Sequence, residues 1–167
     1  VAPPFGPDQV GPFESVWAIL ALGVPVPPED EERLRPLTSW LRERGRGVTG
    51  EQLAAAVTTM RVITRRMIEE TYAYDAVLTP TLAELPALVG GLRDDEDPAA
   101  DFEAQKRFTP FTSPYNVSGQ PAVSLPLHES TDGLPIGVHL ATALGRDEFL
   151  MGVSAALTAV RCVATWR

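Results

Sequence analysis

The chain of 167 residues has little lysine, little cysteine and few aromatic residues. Lysine occurs once, as Lys106, among 14 basic residues that face 22 acidic ones, so the net charge is −8. Because an acidic chain repels polyanions, we expect neither nucleic acid nor an anionic membrane surface as a partner. The single cysteine, Cys162, excludes an intrachain disulfide and suits a reducing compartment, and we expect a small apolar side chain on a helix there.

Leader segments and metal motifs are also missing from the sequence. The opening VAPPFGPDQVGP has neither the basic start nor the apolar stretch of a signal peptide, and no run reaches transmembrane length, which predicts a cytoplasmic protein. The chain starts at Val1 rather than methionine, and we expect it to be cut from a longer polypeptide. The acidic run at 94–97 lacks the ligand spacing and central glycine of an EF-hand loop, so it is interpreted as a solvated loop, and no metal or cofactor is predicted.

Amphipathic segments in the first half of the chain predict helices. The expected bounds are 13–22, then 29–44 with Pro36 dividing the segment, then about 50–73. Thr49 and Gln52 match a capping box at the start of the last of these helices. One face carries a recurring apolar stripe: Leu53, Ala56, Met60, Ile63 and Met67. The opposite face is polar, with Thr58, Arg61, Arg65 and Glu69, so this helix should pack on one side only.

Short apolar segments in the second half predict strands, at 75–81, 122–127 and 136–142. Pro80 should stop the first strand, and residues 83–107 after it are interpreted as irregular and acidic. An Asp132-Gly133 turn signal between the other two strands predicts a hairpin. This order of helix, strand, loop, hairpin and helix is a mixed α/β pattern.

The last strand and the closing helix each have two distinct faces. Gly137, His139 and Ala141 share one strand face, which leaves a small-residue surface that another group can approach closely, opposite Ile136, Val138 and Leu140. Asp147 and Glu148 open the helix at the positive end of its dipole. Its predicted buried stripe is Phe149, Leu150, Val153, Leu157 and Val160.

Four motifs, in this order, carry a resemblance: YDAVLTPT, PYNVSGQPAVSLPL, DGLPIGVHLAT and GRDEFLMGVSAAL. From about residue 70 onward the chain resembles the C-terminal portion of an amidase signature family enzyme. The matching positions are Asp75, Thr79, Pro80, Thr81, Asn116, Gly119, Pro121, Ala122, Ser124, Pro126, Gly133, Leu134, Pro135 and Gly137. The SLPL phrase and the terminal TWR are similar to the branch that contains hydrolases of cyclic nylon oligomers. His139 departs from the pattern, because the family usually has Gln there.

The resemblance implies the C-terminal section of the amidase signature fold, an α/β structure of mixed sheet strands with a hairpin and flanking helices. Residues 1–167 would form a single section of a larger amidase domain. Within it, residues 1–48 would be a helical lead-in, and 49–167 would supply a helix, the strands, the hairpin and the closing helix.

Members of this family cleave a carboxamide with a serine that is activated through a second serine and a lysine, while backbone amides stabilise the oxyanion. The family takes these groups from its N-terminal half. In this chain no two serines are adjacent (Ser15, Ser39, Ser113, Ser118, Ser124, Ser130 and Ser154), and no Gly-x-Ser-x-Gly elbow occurs. Lys106 has no glycine-rich partner loop and is expected on the solvated surface. We therefore expect no catalytic residue here and no activity from the chain alone.

By resemblance, the turn at 116–121 and the strand end at Thr79 and Pro80 form part of a substrate pocket, with Thr112 and His139 nearby. Two structural alternatives stay open. Asn116 can tie the loop backbone through its side-chain amide. His139 can pack as a neutral, hydrogen-bonded imidazole.

The expected partners are the N-terminal catalytic section of the same enzyme and a small-molecule amide, together with a second copy of the chain, because an excised sheet exposes unpaired edges. One alternative is the A subunit of a tRNA-dependent amidotransferase, which releases ammonia from glutamine. That subunit generally has an acidic residue before the Asn motif, whereas FTPFTSP stands here, which argues against glutamine as the substrate. Another alternative is a non-catalytic assembly module that keeps the fold.

Overall fold

A computed structural model describes residues 10–164, with side chains described from 11 to 160. The helices are α1 (Val10–Gly23), α2 (Pro36–Gly47), α3 (Gly50–Thr71), α4 (Pro98–Phe108), α5 (Ser113–Ser118) and α6 (Asp147–Ala164), with a 3-10 helix at Pro28–Arg33. The strands are β1 (Val77–Pro80), β2 (Ala122–Glu129) and β3 (Pro135–Ala141). The side chain of Cys162 and the terminal TWR, both used in the sequence analysis, lie outside the described residues. No helix between residues 10 and 164 is long and apolar enough to cross a bilayer.

The described residues divide into two compact units, one up to residue 63 together with 89–106 and the other 64–88 together with 107 onward. In the first unit α1 and α2 pack closely at Gly45. A Cβ added at Gly45 would lie 2.4 Å from the backbone oxygen of Ala18, which is itself buried. Only glycine therefore permits this approach of the two helices.

Arg42 of α2 holds the C-terminal end of α1. Its Nη1 donates to the backbone oxygens of Ala21 at 2.7 Å and Val24 at 2.8 Å, groups that have no partner within the helix. Its Nη2 donates to Glu31 Oε1 at 2.5 Å, and this hydrogen bond from Arg42 lowers the pKa of Glu31. The guanidinium is buried, so its fork of donors is used almost entirely inside the protein.

Lys106 does not lie on the solvated surface, so that prediction is wrong. Its ammonium bonds Glu14 and Glu103, lies 5.1 Å from the Phe102 ring centroid and has a side chain only 18% exposed. Burial disfavours the ammonium, but the hydrogen bonds to Glu103 and Glu14 outweigh it and raise the pKa of Lys106. The lysine is a structural cation of the first unit.

The second unit contains a three-stranded antiparallel sheet with the order β1-β3-β2. The predicted hairpin is confirmed, with a register shift between Leu125 and His128. One face of the sheet packs against α6 through Leu125, Leu140 and Leu150. The other face meets the C-terminal part of α3 and α5, where Met67, Tyr115 and Ala141 form a second buried cluster.

Backbone hydrogen bonding leaves both outer strands with a free edge in the described residues. The Thr81 N–H donates to Gly137 O, so by the alternation of an antiparallel pair the Leu78 and Pro80 backbone groups point away from β3. Likewise the Thr142 N–H donates to Pro121 O, which turns the backbone of Ala122 and Ser124 outward on β2, before the register shift that follows Leu125. On β1 the outer edge includes Pro80, which has no N–H to offer.

Several sequence predictions for the helices are confirmed. Pro36 begins α2 and separates it from the 3-10 helix, as expected. The capping box exists, since Gln52 N–H donates to Thr49 Oγ1 and Thr49 N–H donates to Gln52 Oε1. Along α3 the apolar stripe is buried or half-buried and the polar face is exposed.

The prediction of irregular structure for residues 83–107 is wrong from 98 onward, where α4 forms. Asp97 Oδ1 accepts from the N–H groups of Ala99 and Ala100, and Pro98 occupies the first helical position. Such an N-cap aspartate followed by proline is a helix-start signal. The acidic run is exposed, but its last residue, Asp97, also caps the start of α4.

Two further predictions are corrected. Residues 113–118 form the short helix α5, so Asn116 is helical and the turn is confined to the residues after it, where Gly119 has a φ of 72°. On α6 the buried stripe is narrower than predicted, since Phe149 is 37% and Val160 69% exposed. Successive residues of a helix are rotated by about 100°, so the Phe149 and Val160 side chains project to one side of the direction of Leu150, which packs against the sheet.

Candidate functional site

A row of polar side chains crosses one face of the sheet at its central strand. Thr79 of β1 and Ser124 of β2 are the register partners of His139 on β3. Because directly opposite residues in a sheet point to the same face, these three side chains share a surface. It is the face that also contacts Tyr115. The small-residue face predicted for the last strand is therefore real, and polar groups adjoin it.

His139 is buried at 4% exposure in the middle of this row. Its Nδ1 lies 3.2 Å from Thr79 Oγ1, and its ring centroid lies 4.9 Å from that of Tyr115. Burial lowers the pKa of His139, so the imidazole is neutral at physiological pH. A neutral imidazole offers one donor and one acceptor, and the Thr79 hydroxyl uses the Nδ1 side.

Tyr115 reaches the row from α5. Burial of the ring, which is 6% exposed, raises the pKa of Tyr115, and the phenol stays protonated. The helix ends three residues later, at Ser118, because Gly119 takes a left-handed conformation and its N–H donates to Tyr115 O at 2.9 Å. This short helix places an aromatic wall beside the histidine.

A second polar contact lies one step along the same face. The hydroxyls of Thr81 and Ser124 are 2.6 Å apart, on either side of the central strand. A Cβ added at Gly137 would lie 2.6 Å from Thr81 Oγ1 and 2.8 Å from Ser124 Oγ. The glycine thus leaves the space in which the two hydroxyls meet.

The structure brings together some of the predicted pocket residues and separates others. Thr79 and His139 are in contact. Pro80 is paired with Val138 and its side chain takes the opposite face of β1 from Thr79. Thr112 and Asn116 belong to one turn of backbone, because Asn116 N–H donates to Thr112 O at 3.3 Å. The Asn116 side chain is exposed and Thr112 is half-buried.

Sequence analysis did not assign Tyr115, Thr81 or Ser124 to the site. The alternation of β2 did carry a usable signal for Ser124, because a strand residue opposite His139 must share its face. No local signal identifies Tyr115, whose role depends on how α5 packs on the sheet.

Chemically, the row consists of hydroxyls and a neutral imidazole. Such groups bind and orient a polar neutral molecule by hydrogen bonds, and an amide offers both the acceptor and the donors that they need. No group of three or more His, Cys, Asp or Glu side chains among the described residues is arranged to hold a metal ion.

The chain is similar to known amidases along most of its length. Residues 26–151 match the family model described as Amidase. It is 34% identical to a putative amidase AmiC of Mycobacterium bovis over 95% of this chain and 35% of that protein. It is 35% identical to the 6-aminohexanoate-cyclic-dimer hydrolase of Paenarthrobacter ureafaciens over 81% of this chain and 28% of that protein.

Solved structures agree with these relatives. A structure of 6-aminohexanoate cyclic dimer hydrolase superposes with a TM-score of 0.80 at 26% identity, covering 93% of this chain and 35% of that one. The chain therefore spans about a third of the length of the relatives that it matches. The predicted resemblance and the α/β fold class are confirmed, and the chain belongs to the amidase family.

Proposed function

We propose that this chain is the C-terminal part of an amidase that hydrolyses a carboxamide C–N bond, and that it supplies scaffold and one wall of the substrate pocket. The reaction centre, a Ser-Ser-Lys triad, comes from an N-terminal section of the same enzyme. On this proposal the chain alone has no amidase activity. Its partners are that section and a small-molecule amide.

One observation carries the proposal: the chain aligns over 95% of its length with about a third of an amidase, while no two of its serines are adjacent. A serine hydroxyl is a weak nucleophile until a positioned base removes its proton, so the triad groups must meet in one place. A chain that has the amidase fold without adjacent serines fits the role of a supporting section.

The pocket wall is the polar row around His139. Thr79 fixes the imidazole through Nδ1, and Tyr115 limits how its ring can tilt. The other ring nitrogen is then the group that can meet an amide, and the neutral state lets it serve as donor or acceptor without the cost of burying a charge. Asn116, exposed on α5, can add a side-chain amide to the same substrate.

A chimera tests the proposal. This chain replaces the equivalent C-terminal section of the cyclic-dimer hydrolase of Paenarthrobacter ureafaciens, and the product is assayed against a panel of carboxamides that includes glutamine. We expect amide hydrolysis by the chimera and none by the 167-residue chain alone. Enzyme-like turnover by the purified chain alone would overturn the proposal, and turnover confined to glutamine would favour the amidotransferase subunit.

The pocket is tested within an active chimera by Thr79→Val. Loss of the hydroxyl frees the imidazole, and we expect kcat/KM to fall about tenfold, which corresponds to about 1.4 kcal/mol of transition-state stabilisation. The matched control is Thr58→Val, because Thr58 is an exposed threonine of α3 whose hydroxyl bonds Ala54 O of its own helix. If the two changes lowered kcat/KM equally, Thr79 and His139 would not belong to the substrate pocket.

A further inference from the structure

Two side-chain oxygens in the described part of the chain are fully buried and make no hydrogen bond with it: Gln120 Oε1 and Thr142 Oγ1. The two residues are 6% and 3% exposed. Buried polar atoms nearly always have a partner, because an unmet hydrogen bond costs the whole desolvation of the group. Because Gln120 and Thr142 are hydrogen-bonded to each other, one shared partner is the simplest explanation for both atoms.

Both residues belong to the connection between the α5 end of the site and the sheet. Gln120 lies between Gly119, which ends α5, and the proline that precedes β2. Thr142 follows β3, and its N–H donates to Pro121 O at 3.0 Å. The Gln120 Nε2 donates to Thr142 O at 3.3 Å. These two hydrogen bonds thus join the turn after α5 to the end of β3.

The orientation of the Gln120 amide is fixed by this geometry. A backbone oxygen can only accept, so the amide atom that faces Thr142 O must be the nitrogen. Oε1 is then a buried acceptor without a partner, and the Thr142 hydroxyl is a buried group that can donate or accept. The missing partner must therefore be able to donate to Oε1.

We propose that one ordered water molecule binds between Gln120 and Thr142 and locks the turn before β2 to the end of β3. It donates one hydrogen bond to Gln120 Oε1 and a second to, or accepts one from, Thr142 Oγ1. Water fits because it is a small molecule that can donate to one oxygen and donate to or accept from another, and because two polar partners are sufficient to hold it.

The locked turn has a consequence for the site. The water holds the residue that follows Gly119, and hence the end of α5 that carries Tyr115 against His139. Gln120 and Thr142 are then positioning residues. The inference concerns the folded chain and does not depend on the proposed amidase activity.

The experiment is thermal unfolding of the 167-residue chain with Thr142→Val, which replaces the hydroxyl by a methyl group of nearly the same shape. If water fills the site, the change removes one of its partners and lowers the midpoint by about 3 °C or more. If the site is dry, the change removes an unpaired polar atom and raises the midpoint. Thr58→Val, on the exposed face of α3, is the control and should leave the midpoint within about 1 °C.

A crystal structure of the unmodified chain supplies a second measurement that does not depend on any variant. We expect a water oxygen within hydrogen-bond distance of both Gln120 Oε1 and Thr142 Oγ1. A direct hydrogen bond between the two side chains, or no water between them, overturns the proposal. The proposal is also overturned if the midpoint temperature of thermal unfolding for Thr142→Val equals or exceeds that of the unmodified chain.

Discussion

The hydroxyls of Thr81 and Ser124 meet 2.6 Å apart across the central strand, above the Cα of Gly137. Thr81, which follows β1, and Ser124 of β2 touch across β3 only because Gly137 of β3 carries no side chain. The hydrogen bond therefore links the residue after β1 directly to β2, whereas the backbone ladder links each of these two strands only to β3. This arrangement predicts which glycines of the chain can be replaced.

Gly137→Ala should destabilise the chain by about 1–3 kcal/mol, because the added Cβ must displace the Thr81 and Ser124 hydroxyls and break their hydrogen bond. The control is Gly152→Ala on α6, where nothing lies within 4 Å of the added Cβ. Alanine is the better helix former, so that change should stabilise by about 0.5–1 kcal/mol. Urea unfolding followed by circular dichroism measures both, and equal effects of the two changes would contradict the account of Gly137.

His139 should make stability depend on pH near neutrality. Its folded-state pKa is lowered by burial, so the unfolded state binds the proton more readily. Stability from the neutral imidazole is fully present above the unfolded pKa of about 6.5 and is lost as pH falls through the lower folded pKa. Titration of this one group changes the free energy of unfolding by at most about 1.4 kcal/mol per pH unit.

The matched variant for this pH effect is His139→Gln, which has no titrating group. We expect the difference in unfolding free energy between the variant and the unmodified chain to change between about pH 7 and pH 5 and to be flat above pH 7.5. Tyr115, the titratable neighbour, stays neutral over this range because its pKa is raised. A difference that does not vary with pH would show that His139 titrates as it does in the unfolded chain.

Arg42→Lys should cost about 1–3 kcal/mol although the charge is kept. A lysine ammonium cannot replace the guanidinium fork that donates to Ala21 O and Val24 O and also reaches Glu31. The control is Arg33→Lys, where the arginine side chain is 80% exposed and bonds Asp30 three residues away. That change should stay within about 0.5 kcal/mol. Thermal unfolding compares the two, and a small loss at position 42 would mean that the carbonyl contacts contribute little.

Self-association of the isolated chain is expected at the free edge of β1. Leu78 is 66% exposed there, and its outward N–H and C=O offer a template for another strand. Leu78→Lys should shift the chain toward monomer in sedimentation velocity, because charge on an edge opposes pairing. Tyr72→Lys, with a tyrosine that is 81% exposed on the chain after α3, is the control. A monomer at high concentration before any substitution would show that no such assembly forms.

The sequence predicted helices and strands where the signal is local. Thr49 and Gln52 identified the start of α3, and an Asp-Gly turn identified the hairpin. It also predicted that Gly137, His139 and Ala141 share a face, which follows from the strand period alone. The Asp97-Pro98 start signal of α4 was present too, but it stood inside an acidic run and was interpreted as a loop.

The candidate site depended on contacts that no local pattern encodes. Thr79 and His139 are 60 residues apart in the sequence, and their meeting requires the pairing of β1 with β3. The position of Tyr115 requires α5 to exist as a helix, whereas NVSG there resembles a turn. The Gln120 amide could not be assigned a partner until its neighbour across the sheet end was known.

Pro80 on β1 and the register shift on β2 limit how far the sheet can grow. A strand arriving beside β2 finds donors and acceptors at Ala122 and Ser124, and the regular edge ends at the register shift after Leu125. Beside β1 the equivalent interruption comes at Pro80. A strand that pairs with either outer edge is therefore limited to a short stretch of regular hydrogen bonding.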